Sequence, residues 1–105
     1  MCLLSLVIVG ALVGCGGDGL GECPTDGAAQ QTAGKDVVAK SCATCHGPTY
    51  ANGMPAGGYD FTSEANVKAE AMEMYAEAEE GVMPPTGKLS EADLEALRVY
   101  LACTQ

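Results

Sequence analysis

Cys42-Ala43-Thr44-Cys45-His46, with Gly47 behind it, is the stretch on which the reading of this chain turns. Two thiols three residues apart fall on one side of a single helical turn. At that spacing they can bond the two vinyl groups on one edge of a flat macrocycle, and C-x-x-C-H is the attachment motif for c-type haem. The residue after the second thiol then lies beneath the ring centre, where an imidazole can give iron one axial nitrogen. His46 is the chain's one histidine, so no other residue competes for that position. Two other uses of the pair carry less. Zinc needs four ligands, and no second Cys or His pair at metal spacing follows downstream. A thioredoxin-like redox pair needs strands alternating with helices, and that pattern does not surround these residues.

Upstream of the motif, Leu3 to Val13 is an almost unbroken apolar run of eleven residues. That falls short of the roughly 20 residues a helix needs to span a bilayer, and it suits the apolar region of a signal peptide. Leu12-Val13-Gly14-Cys15 follows, then Gly16-Gly17-Asp18-Gly19. This arrangement resembles the lipobox of a bacterial lipoprotein, although no Lys or Arg precedes the apolar run. The resemblance implies cleavage before Cys15 and acylation of Cys15, with the protein held on the periplasmic side of the cell envelope by lipid. The expected organisation is a signal peptide over 1–14, a lipidated flexible tether over 15–32 and a folded domain over 33–105. The tether reading rests on Gly, Pro, Asp and Gln without periodicity.

Six cysteines need places. Cys2 leaves with the signal, Cys15 takes lipid, and Cys42 and Cys45 belong to the motif, which leaves Cys23 and Cys103. An oxidising compartment favours a bridge between them that clips the two ends of the domain together. Two free thiols, or a link to a partner, are the alternatives.

Along the folded part, Gly34 to Cys45 carries Val37, Val38 and Ala39 between Lys35 and Lys40, which suits a short helix starting near Ala33. Gly47-Pro48 stops it. Residues 47–62 have no period but hold Tyr50, Tyr59 and Phe61, three of the chain's five aromatics, among several glycines. Such a loop can lie close to a flat ring. Ser63 is a candidate N-cap for a helix running to Glu80, with Val67, Ala71, Met74 and Ala78 on one face and Gly81 as its left-handed stop. Ser90, with Asp93 three residues on, opens a last helix whose apolar face is Leu94, Leu97, Tyr100 and Leu101. The fold class is all-α, with three main helices and no repeats or strand pairs.

What lies across the iron from His46 decides between carrying electrons and binding a small ligand. Met83 is the candidate, on the loop Val82-Met83-Pro84-Pro85 that two prolines stiffen; its soft, neutral thioether raises the potential and closes the sixth position. Met54, also before a proline, is the rival, while Met72 and Met74 sit on a helix where packing is the ordinary role. Gly34-Lys35, the Cys42 to Gly47 motif, the amphipathic helix, Gly81-Val82-Met83-Pro84-Pro85 and the closing helix together resemble the small monohaem class I cytochromes c of bacterial envelopes. The resemblance covers about residues 33–103. It implies a cytochrome c-like fold with crossed terminal helices, one covalent haem c per chain and a haem edge exposed for electron exchange. It also implies a proline carbonyl that accepts from the His46 ring, with Pro55 the nearest match. The aromatic residue usual in the first helix is replaced by Val37 and Val38.

A net charge of −9 argues against nucleic acid as a partner. Glu70, Glu73, Glu77, Glu79 and Glu80 gather on one helix, as a solvated face or as a surface that steers a basic redox protein. The expected function is one-electron transfer between envelope redox partners by a lipid-anchored monomer. The alternatives are a haem-based sensor or small-ligand binder with an open or labile sixth site, and the electron-input subunit of a larger oxidoreductase. No catalytic carboxylate pair or nucleophile constellation points to an enzyme.

Overall fold

A computed structural model describes residues 19–48 and 50–105. The expected signal peptide, and Cys15 with it, lie outside the described residues. Among these residues there are four α-helices and no strands: α1 (Ala28–Val37), α2 (Glu64–Ala69), α3 (Ala71–Glu80) and α4 (Glu91–Cys103). No helix among them is long and apolar enough to cross a membrane.

The terminal helices α1 and α4 cross, and a glycine sets how closely. A Cβ on Gly34 would overlap the Ala96 carbonyl and lie 2.5 Å from the Cβ of Tyr100, so the two backbones approach as near as only glycine permits. Around the crossing, Val37, Val38, Leu97, Tyr100 and Leu101 are buried, and α2 and α3 add Val67, Ala71, Met74 and Ala78.

The fold begins earlier in the chain than the expected boundary at 33. Helix α1 starts at Ala28, and the residues before it form a strap on α4 instead of a free tether. Leu20 is buried in the core, and its carbonyl accepts a hydrogen bond from Arg98. Gly27 turns back on Pro24 and lies against Val99, where a Cβ would come within 3.3 Å of the valine methyl. Cys23 is disulfide-bonded to Cys103, with 4.7 Å between their Cα atoms. The strap covers a second side of α4 and so accounts for Val99, which is fully buried yet off the apolar face read from periodicity. A turn-rich composition reads the same whether it is solvated or fastened, and here one apolar residue, one arginine and one disulfide fasten it.

The single helix expected over 63–80 is two. Ser63 caps α2 by accepting from the Asn66 N–H at 3.3 Å, and the backbone departs from helical geometry at Glu70 (φ −105°, ψ 15°). No glycine or proline marks that break. Helix α3 ends at Gly81 in the left-handed region (φ 83°), where the Gly81 N–H bonds the Ala78 carbonyl and the Val82 N–H the Glu77 carbonyl. This is the Schellman arrangement. Ser90 caps α4 through the Asp93 N–H at 3.1 Å.

Candidate functional site

The cysteine pair is delivered by a widened turn and not by a continuing α-helix. After α1 the backbone runs as a π-helical turn over Val38–Cys42, closed by the Ala43 N–H on the Val38 carbonyl at 2.8 Å. Single π turns of this kind recur at functional sites. The His46 N–H then bonds the Cys42 carbonyl at 2.8 Å, so both thiols and the imidazole occupy one helical turn. Both thiols are unbonded and half-buried, and burial pushes the Cys42 thiol up to about 11.

The loop that follows grips this turn from two sides. The Ala56 N–H donates to the Cys45 carbonyl at 2.9 Å, and the Phe61 N–H to the His46 carbonyl at 2.7 Å. The Ala56 carbonyl lies 2.7 Å from His46 Nδ1 and accepts its proton, which leaves Nε2 as the lone-pair nitrogen. The expected acceptor, Pro55, is displaced by one residue: the 3₁₀ turn Ala56–Gly58 directs the next carbonyl at the ring. Phe61 packs on His46 with ring centroids 5.2 Å apart, and Tyr59 stacks on Phe61 at 5.6 Å while meeting His46 edge-on at 6.1 Å. Loop composition had marked these aromatics, but no local pattern singles out Ala56.

One cavity of about 410 Å³ gathers the motif and the distal candidate. Cys42, Cys45 and His46 form one side, with Tyr59 and Phe61 beside them, and Met83, Pro84 and Pro85 also line it. Helix α3 contributes Met74 together with Glu70, Glu73 and Glu77. Met83 is held by its backbone, whose N–H shares the Glu77 carbonyl at 3.2 Å, so the end of α3 fixes where the loop departs. The rival Met54 is 65% exposed and does not line the cavity; Met72 is likewise on the surface. Met74 is buried in the core and still reaches the cavity wall, a double placement that helix periodicity alone does not separate.

The donor set suits an iron porphyrin. It offers two thiols one helical turn apart, an imidazole whose other nitrogen is tied to a carbonyl, a thioether, and a lining whose exposed surface is mostly apolar although three glutamates border it. Among the described residues no group of three or more His, Cys, Asp or Glu is placed to hold a bare metal ion.

A family model described as cytochrome C oxidase, cbb3-type, subunit III, matches residues 29–101, more than half of the 105-residue chain. The chain belongs to this family of small c-type cytochromes. Its cytochrome c domain is a haem-based electron carrier, and membership implies a covalently bound c-type haem. No curated protein and no solved structure matches the chain. The matched stretch begins inside α1 and ends inside α4, so the strap, with Leu20 and Cys23, lies outside it.

Proposed function

We propose that this cytochrome c domain is a lipid-anchored one-electron carrier of a bacterial envelope, with His46 and Met83 as the axial ligands of one haem held by Cys42 and Cys45. The supporting observation is that one cavity takes in both thiols, the imidazole and Met83 while leaving out the rival Met54. When bound, the haem supplies reversible one-electron exchange at iron. The protein's residues do the rest. The Ala56 carbonyl orients the His46 ring and makes it a stronger donor. Phe61, Met74 and the two prolines exclude water, which keeps the site apolar. Cys15 carries the acyl anchor, and the acidic wall of Glu70, Glu73 and Glu77 steers partners with basic docking surfaces. Such a carrier acts as a monomer and performs no substrate chemistry of its own.

The attachment reading is tested on a denaturing gel stained for haem. The mature protein should keep its colour, and Cys42→Ala with Cys45→Ala should lose it; a colourless parent would contradict the proposal. The family's description, which names an oxidase subunit, favours one second reading: electron input to a larger complex. Detergent-solubilised membranes separate the two, because a carrier migrates alone and a subunit migrates with its oxidase.

A further inference from the structure

The described residues begin at Gly19 and Leu20, on the side turned away from the cavity. A Cβ on Gly19 would lie 4.0 Å from the ring of Tyr75. On α3, Tyr75 projects about 160° around the axis from Glu73 and Glu77, at 3.6 residues per turn. Those two glutamates line the cavity. The first described residues and the cavity therefore occupy opposed faces of one helix.

This end of the described chain is also fixed. Leu20 is buried, Arg98 holds its carbonyl, and Cys23 is bonded to Cys103. A tether running from Cys15 to residue 32 would reach about 60 Å, but from Cys15 to Leu20 the chain spans at most about 18 Å. A domain of this size is about 30 Å across, so it cannot roll over on so short a leash.

We infer that the anchored domain rests with its strap face on the lipid surface and its cavity turned to water. It then exchanges electrons with water-facing proteins and not with carriers dissolved in the bilayer. This inference rests on reading Cys15 as the acylated residue. Glu22, Asp26 and Glu79 are exposed, so the acyl chain and the short tether hold the strap face down, without help from charge attraction.

The test uses the full chain, matured with its haem and bound to phosphatidylcholine vesicles containing a nickel-chelating lipid. A nitroxide is attached at Glu79→Cys, on the Tyr75 side of α3, or at Glu73→Cys, on the cavity side. Taken as the difference between nickel-loaded and zinc-loaded headgroups, so that relaxation by the haem iron cancels, the effect should be several-fold larger at position 79 than at 73. A long Gly-Ser insertion between Gly17 and Asp18 should make the two alike. Equal relaxation without the insertion, or stronger relaxation at 73, would overturn the inference. So would a contrast that survives the insertion, because tether length would then not be the cause. A chain that fails to float with the vesicles overturns the lipid-anchor reading, and this inference with it; a chain that floats with equal relaxation overturns the inference alone.

Discussion

Gly34 and Ala56 each do one job that a side chain would hinder or cannot supply. At Gly34 a methyl group would meet the backbone of α4, and overpacking of this kind costs about 1–3 kcal/mol. Gly34→Ala should therefore lower the melting temperature of the haem-loaded protein, read by circular dichroism, while leaving the visible spectrum unchanged. At Ala56 the functional atom is a carbonyl, so no substitution of its side chain removes the hydrogen bond to His46. That is also why the expectation falls one residue away: the family resemblance implies a proline carbonyl, Pro55 is the match, and a backbone acceptor has no residue-type signature of its own. Cys42, Cys45 and His46 announce themselves by type and spacing, Met83 is picked over Met54 by its loop between two helices, and the fold brings all four to one cavity.

The helices were legible where their ends are marked. Ser63, Gly81 and Ser90 each stop or start an element through a specific hydrogen bond or a left-handed backbone. The break at Glu70 and the start of α1 at Ala28 carry no such mark: neither has a side-chain cap, a proline or a left-handed residue. The strap was the largest misreading, and it makes two predictions. Cys23→Ser with Cys103→Ser opens a link spanning 80 residues of sequence, worth about 4 kcal/mol in the chain-entropy model. Chemical denaturation of the holoprotein should show a loss of that order with haem retained. The second prediction concerns pH. The Arg98 guanidinium beside Glu95 holds that carboxyl below its ordinary 4.5, so the pair adds stability above that pH and loses it as the pH falls further. Glu95 is about half exposed, and screening reduces the effect to a few tenths of a kcal/mol. Glu95→Gln should melt slightly below the parent at pH 7, and the gap should narrow as the pH is taken below 4.5.

At the scale of the whole molecule, the protein core is thin. Its largest fully buried side chains are Leu97, Leu101, Val67 and Val99, and the chain has one Phe and no Trp. A cavity of about 410 Å³ borders that core, so the group that fills it also completes the fold. Circular dichroism of the Cys42→Ala, Cys45→Ala protein should show most helix lost, and native helix content would contradict this. The central claim is the closed His46/Met83 iron of an electron carrier, and optical spectroscopy of the mature protein tests it most directly. Oxidised and reduced spectra are recorded with and without carbon monoxide, for the parent and for Met83→Ala. The account predicts a weak near-infrared sulfur-to-iron band and no carbon monoxide shift in the parent, with the band gone and carbon monoxide bound in the variant. A parent that binds carbon monoxide readily, with a variant indistinguishable from it, would contradict the account and make the site a small-ligand receptor.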